Sequence, residues 1–276
     1  MIPHWLRTST AEIEQVSRTQ VQVAYFGDQT VVCRVLGKYL MYADTTDIGI
    51  TPHLAMNGYW ESWITLAIAR AVQPGWRCLD VGANHGYYTL VMADGCGPAG
   101  KVAAVEPNPD PRRRLILTVD VNGFSSHVDV IEQAASDADG DRVQLFIGEN
   151  RGLNATLHGG AADSRVETVE TVTVDALTRD WPRVDLVKID VEGAEEAVWR
   201  GMSSTLESNP ELTIILEVNT GRYADPAAFF ETIERAGFEL RYIDFDSEIK
   251  PVEIDRLVHE RRGEDWMLFL ERAVKA

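Results

Sequence analysis

Three short runs carry side chains whose types and spacing could bind a nucleoside and move a proton. The first is Leu79-Asp80-Val81-Gly82-Ala83-Asn84-His85-Gly86-Tyr87-Tyr88, an apolar strand running into a loop with glycines at 82 and 86, followed by a helix. Gly82 lets the backbone turn sharply off the strand, and Gly86 lets a ligand approach the start of the helix. A dinucleotide fingerprint would place a middle glycine there to admit a pyrophosphate; Ala83 and Asn84 fill that stretch instead. Asp80 sets a carboxylate at the strand end, which repels phosphate and suits an ammonium group. The ligand implied is an amino-acid-bearing nucleoside. The second run, Val105-Glu106-Pro107-Asn108, puts Glu106 twenty residues past Gly86, where α/β nucleotide sites place the acid that grips ribose hydroxyls. Ser136, in Ala134-Ala135-Ser136-Asp137, is a short polar residue that could reach an adenine amino group, with a plain turn as the alternative.

The third run, Lys188-Ile189-Asp190-Val191-Glu192-Gly193-Ala194-Glu195, closes a strand and opens a helix. Ligands of open α/β sheets bind outside the carboxyl ends of the strands, so Asp190 and Glu192, two apart and on one side of an extended chain, flank the expected pocket. Leu216-Glu217-Val218-Asn219 brings another carboxylate and an amide to the same edge. Acids gathered there need a proton or a cation to compensate them. One reading makes a carboxylate, Asp190 foremost, or a histidine the general base for a hydroxyl; His158, in the loop after Arg142 to Ile147, is the histidine candidate. The other has Asp190, Glu217 and Asn219 hold Mg²⁺. Glu195, inside the helix turn, is expected to favour a helix N-terminus and to be dispensable.

These runs need a scaffold, and the pattern around them supplies one. Short buried strands at Arg77 to Val81, Lys101 to Val105, Val128 to Ala134, Val184 to Val191 and Glu211 to Val218 alternate with helices at 87–94, 111–122, 194–201 and 226–236, the signature of a parallel sheet. Arg142 to Ile147 and Val166 to Val174 interrupt the alternation and are expected to pair as an inserted hairpin. Phe238 to Ile243 and Trp266 to Leu270 leave little room for a crossover helix, which predicts an antiparallel pair with the second strand lying inside the first. Upstream, a short polar arm leads to β-rich segments at 21–26, 30–35 and 39–43, then an amphipathic helix over 59–72 carrying Trp60 and Trp63. This divides the chain into an N-terminal extension, residues 1–58, a candidate cap on the acceptor side, and a domain over 59–276.

Composition narrows the function classes. The 276 residues are 45% hydrophobic and 25% charged, with a net charge of −17. Such a field repels nucleic acid and anionic membranes. No stretch approaches the roughly 18 apolar residues a membrane helix needs, and the N-terminus lacks the pattern of a signal peptide. Three scattered cysteines argue for a reducing cytoplasm rather than a disulfide framework or a zinc site.

Asp80-Val81-Gly82-Ala83-Asn84-His85-Gly86-Tyr87-Tyr88, Glu106-Pro107-Asn108 and Lys188-Ile189-Asp190-Val191-Glu192-Gly193-Ala194-Glu195 together resemble the FkbM-type family of S-adenosylmethionine-dependent methyltransferases, in order and in spacing. Trp60-Glu61 resembles the tryptophan–glutamate pair often found before the glycine loop of that family. The likeness spans roughly 60–238. It implies a class I methyltransferase fold, Rossmann-like, with a seven-stranded, mostly parallel sheet and an antiparallel edge strand. It also implies methyl transfer to an oxygen of a sugar or secondary metabolite. S-adenosylmethionine would then contact Glu61, Asp80, Gly82, Asn84, Gly86, Tyr88, Glu106, Pro107, Asn108, Ser136 and Asp190. His85 stands where an aliphatic residue is common in the family. The expected partner is a small-molecule acceptor bearing a hydroxyl, with a homo-oligomer left open. Two other readings stay in view: a nicotinamide-dependent oxidoreductase with a degenerate fingerprint, and a non-catalytic module that binds S-adenosylmethionine.

Overall fold

The computed structural model describes residues 1–148, 156–157, 164–261 and 263–273. After a 3₁₀ turn at His4–Arg7, the chain forms helix α1 (Thr10–Gln20), whose Ser9 side chain accepts a hydrogen bond from the Glu12 amide. The expected polar arm is therefore a capped helix. Only Ile13 and Ser17 of it are buried, too thin an apolar stripe to stand out in sequence. Strands β1 (Val23–Gly27), β2 (Thr30–Val35) and β3 (Tyr39–Asp44) make an antiparallel sheet in that order. Helices α2 (Ile50–Asn57) and α3 (Ser62–Ala71) follow. The helix expected over 59–72 is α3, started late because Glu61 sits in left-handed backbone at φ +35°.

The rest of the chain winds β4 (Arg77–Val81), α4 (Tyr87–Cys96), β5 (Lys101–Val105), α5 (Pro109–Val121) and β6 (Val128–Ile131). Next come β7 (Ala134–Ala135), β8 (Arg142–Ile147), β9 (Arg165–Val172), α6 (Val174–Thr178), β10 (Leu186–Ile189), α7 (Glu195–Arg200), α8 (Ser203–Ser208) and β11 (Thr213–Val218). The chain ends with α9 (Pro226–Arg235), β12 (Phe238–Glu239), β13 (Arg241–Ile243), β14 (Ile249–Pro251), α10 (Ile254–His259) and β15 (Trp266–Arg272). The main sheet runs β14-β13-β15-β11-β10-β4-β5-β6, parallel from β11 to β6, with β12 also paired to β15. Strand β15 lies antiparallel between β11 and β13, as the short connection predicts. This is the expected class I sheet, extended at one edge by β14.

Three details depart from the sequence reading. The run 128–134 breaks at Glu132-Gln133, and β7 leaves to pair with β9. The segment between β13 and β15 holds β14 and α10, elements not expected there. The edge of the sheet is therefore β14, paired antiparallel to β13. The inserted hairpin forms as expected, β8 against β9.

Alternation along the strands sends side chains to two cores. Cys78, Val102, Ala104, Leu186 and Ile215 pack with α3, α4 and the N-terminal elements, among them Leu6, Ile13, Val35 and Leu54. Leu79, Val81, Val105, Val187, Ile189 and Leu216 pack on the opposite face with Val198, Trp199, Phe230 and Leu257. The carboxyl ends of β5, β4, β10 and β11 are thus held side by side by cores above and below. No described helix is long and apolar enough to cross a membrane.

Candidate active site

The glycine loop is pressed onto the end of β10. Gly82 has φ +83°, and a Cβ there would stand 1.8 Å from the Asp190 carbonyl oxygen, so glycine is demanded by backbone conformation and by packing alike. The amides of Gly82 and Ala83 both donate to the Val105 carbonyl, at 2.9 and 3.0 Å. A Cβ on Gly86, at φ +93°, would meet Leu115 Cδ1 at 2.5 Å; the glycine lets α4 seat against α5. Asn84 and Glu192, at φ +50° and +54°, and Glu61 also hold left-handed backbone. Non-glycine residues rarely adopt it, and such strain gathers at ligand sites.

At the end of β5, Glu106 receives the Asn84 and Asn108 amides on its two carboxylate oxygens, each at 2.8 Å. The side chain is buried, and burial pushes its pKa up to about 7 against the partial relief of those two amides. It lines a cleft of about 130 Å³ together with Gly82, Pro107 and Asn108. Ala135, Leu145 and Ile147 form an apolar wall of the same cleft. A carboxylate fixed by backbone beside an apolar slot suits a ribose with its base. Ala134 and Ala135 line the slot, whereas Ser136 does not; its hydroxyl points to Asp137 at 3.4 Å and its carbonyl packs against Gly201.

A second cleft, of about 210 Å³, adjoins the first and shares Gly82, Asn84, His85 and Asp190 with it. Its walls add Trp60, Glu61, Tyr88, Lys188, Glu217 and Asp265. Tyr88 donates to Glu61 at 2.6 Å, and burial lifts the Glu61 carboxyl to about 7. Asp80 lies beneath both clefts, 1% exposed, with one oxygen accepting from Thr89 at 2.6 Å and the other unpartnered. It is aligned with Lys188 across the β4–β10 pairing. Its place is below the ligand surface, as a counter-charge to that buried ammonium.

The carboxylates expected to converge do so. Asp190, Glu192 and Glu217 bring oxygens within 4.8 Å of one another. Protein cations already answer them: Lys188 donates to Asp190 at 2.9 Å, and Arg222 approaches Glu192 at 2.5 Å, Glu217 at 3.5 Å and Asp265 at 3.6 Å. Burial opposes ionisation of Asp190, yet the Lys188 ammonium prevails and its pKa falls; burial, reinforced by the Asp190 charge, drives Glu217 well above the carboxylate range. The two side chains act as a pair, Asp190 anionic and Glu217 protonated. The Asn219 amide donates to Asp265 and its oxygen accepts from Gly221. Asp190 and Glu217 come together with Glu192, and Lys188 and Arg222 are the protein cations beside them among the described residues.

Glu195 stands in the first turn of α7, as expected, and does more than favour the helix end. It is fully buried, receives the Val191 and Gly193 amides on one oxygen and the Tyr223 hydroxyl, at 2.7 Å, on the other. It ties the turn after β10 to the segment after β11. His158 lies outside the described residues. Lys188, Arg222, Asp47, His85 and Asp265 are site residues that motif reasoning left without a role. Lys188 alone carried a signal, a lysine inside an otherwise apolar strand.

Residues 80–240 match the methyltransferase FkbM domain, and the chain belongs to that family. Over 144 residues it is 31% identical to the hexuronic acid methyltransferase AglP of Haloferax volcanii, covering 51% of this chain and 55% of that protein. The chain thus matches about half the length of this curated relative. Solved structures of similar fold include P. horikoshii TYW2 in complex with MeSAdo (TM-score 0.48, 15% identity, 98% of this chain and 84% of that one). A SAM-dependent O-methyltransferase of Thermotoga maritima is another (0.42, 15%, 79% and 67%).

Proposed function

We propose that this chain is an S-adenosylmethionine-dependent O-methyltransferase acting on a hydroxyl of a small molecule, a sugar or a natural product. The observation that carries the reading is the continuity of the two clefts. One has a backbone-fixed Glu106 for ribose hydroxyls and an apolar slot for the base, and it shares Gly82, Asn84 and Asp190 with the other. When bound, the cofactor supplies an electrophilic methyl, whose bond to sulfur breaks with its electron pair as the acceptor oxygen bonds to carbon. The residues of this chain position the reactants, which supplies much of the rate of such a transfer. Asp190, present in both clefts and kept anionic by Lys188, takes the hydroxyl proton. Tyr88 orients Glu61 in the acceptor wall.

Residues 1–58 form the extension that walls the acceptor side, since Asp47, Gly49 and Ile50 line the second cleft. The net charge of −17 disfavours nucleic acid as the acceptor. Buried thiols at Cys33, Cys78 and Cys96 fit a cytoplasmic site of action. Titration calorimetry tests the cofactor assignment: S-adenosylhomocysteine is expected to bind in the micromolar range and NAD far more weakly. Tight NAD binding with no heat from S-adenosylhomocysteine would overturn it in favour of an oxidoreductase, and cofactor binding without methyl transfer to any hydroxylated acceptor would leave a binding module.

A further inference from the structure

The acceptor cleft is markedly acidic. Asp47, Glu61, Asp190, Glu192 and Asp265 line it beside the protonated Glu217, and among the described residues Lys188 is the lining cation. Arg222 answers Glu192, Glu217 and Asp265 from behind, and Lys188 answers Asp190. Asp47 and Glu61 have no cation within ion-pair distance among the described residues. The cofactor of the proposed reaction brings a net charge of only one, its sulfonium and ammonium set against its carboxylate.

An independent feature sits at the junction of the two clefts. The His85 side chain is 4% exposed, and its Nδ1 has no hydrogen-bond partner. Burial and the nearby Arg114 guanidinium hold its pKa down at about 4, so the ring is neutral. Nδ1 stands 3.8 Å from the Asp47 Oδ2, too far for a good hydrogen bond between them and close enough for one donor to reach both. Asp47 is itself fixed, its other oxygen accepting from the Gly49 amide at 2.7 Å. The remaining charges facing this point, Asp44 and Arg114, are paired with each other at 3.0 Å. An unpartnered buried ring nitrogen beside a fixed carboxylate calls for a polar group from outside the protein, and with the ring proton on Nε2 the Nδ1 accepts a donor there. Trp60 lines the same cleft and packs edge to face with His53 at 4.9 Å, an aromatic side chain on which a ring can stack.

We infer that the acceptor is a hydroxylated ring carrying a protonated amine, an amino sugar in chemical class, whose ammonium bridges His85 Nδ1 and Asp47. This rests on the methyltransferase reading and names its substrate class. The carboxylates keep the amine protonated, which removes its lone pair from competition and leaves a hydroxyl as the nucleophile. A uronic acid, the acceptor class named for the Haloferax volcanii relative, would set its carboxylate against like charges here.

The test uses the full-length protein saturated with S-adenosylhomocysteine and a matched set of methyl glycosides: 2-amino-2-deoxyglucoside, its N-acetyl derivative and the glucuronide. Binding is followed by saturation-transfer NMR at neutral pH. The amino glycoside is expected to bind about tenfold more tightly than the N-acetyl compound, with the glucuronide weakest. Asp47→Asn is expected to reduce that preference to about threefold or less. Asp265→Asn, at a half-exposed position, gives a smaller loss in the same direction and serves if Asp47→Asn does not fold. Equal binding of the amine and its N-acetyl analogue, preference for the glucuronide, or no binding by any of the three would overturn the inference. Failure of S-adenosylhomocysteine to bind in the first place would instead strike the methyltransferase reading beneath it.

Discussion

The Lys188 Nζ lies 2.9 Å from the Asp190 carboxylate, two residues along the same strand end, and 4.8 Å from the centre of the Tyr88 ring. The lysine is 1% exposed, an ammonium carried into the centre of the sheet. Burial works against its charge, and Asp190 and Asp80 outweigh that cost, raising its pKa. One cation therefore organises three features of the site: the counter-charge beneath the glycine loop, the ionised Asp190, and the tyrosine that holds Glu61.

Removing that cation leaves the buried Asp80 and the half-buried Asp190 without their partner. Lys188→Met is expected to cost about 3–5 kcal/mol of stability, the range for breaking a buried pair from one side. Adding Asp80→Asn should return part of the loss, since the neutral amide no longer needs a cation. Denaturant unfolding of the two single variants and the double variant measures the coupling; strictly additive losses would show that Asp80 and Lys188 do not depend on each other.

Glu195 makes a similar point from the structural side. Its carboxylate satisfies two backbone amides and the Tyr223 hydroxyl with no exposure to solvent. Glu195→Ala strands these donors, and a loss of about 2–4 kcal/mol is expected from unsatisfied buried groups and a lost charged acceptor. Glu195→Gln should recover a portion by accepting through its amide oxygen. An unfolding midpoint unchanged in Glu195→Ala would mean that water replaces the carboxylate at little cost.

The contrast between Glu106 and Glu195 shows what the sequence made legible. Glu106 could be placed because strand, glycine loop and the twenty-residue spacing each constrain it, and a nucleotide site needs an acid there for a local reason. Glu195 serves Tyr223, a residue 28 positions away, and no local pattern announces that contact. The parallel strands were readable from their short, mostly apolar runs, whereas α1, with one buried aliphatic residue, and β14, three residues long, left almost no periodicity to detect. Asp47 and His85 meet only because the segment after β3 folds over the glycine loop, a tertiary juxtaposition between residues 38 positions apart.

Asp190 separates chemistry from architecture. Asp190→Asn keeps the shape, removes the charge, and is expected to lower turnover by roughly 10²-fold or more, the scale of a lost general base, with S-adenosylhomocysteine affinity nearly unchanged. Because Lys188 and Arg222 already compensate the cluster, EDTA is expected to leave wild-type turnover unaltered and Mg²⁺ to add nothing. Chelation that abolished activity, with restoration by Mg²⁺, would return the cluster to a metal site. Wild-type turnover in Asp190→Asn would remove the aspartate from the chemistry altogether.

The pH dependence of cofactor binding singles out Glu106. In the unliganded protein burial raises its pKa from an ordinary 4.5 to about 7. Between those values the folded protein holds a proton that the unfolded chain has released, so this group's contribution to stability declines as pH rises through that window. Ligand binding runs the other way. Ribose hydroxyls donate to a carboxylate and lose an acceptor when it is protonated, so affinity for S-adenosylhomocysteine is expected to rise from pH 6 toward 7 and level off by pH 8. Glu61 titrates over the same range, so the wild-type slope by itself does not assign the group. Glu106→Gln does: it is expected to bind about 1–3 kcal/mol more weakly at pH 8 and to lose most of the slope, while Glu61→Gln keeps it. Calorimetry at pH 6, 7 and 8 on the three proteins decides the matter, and an unchanged slope in Glu106→Gln would take the ribose contact away from this residue.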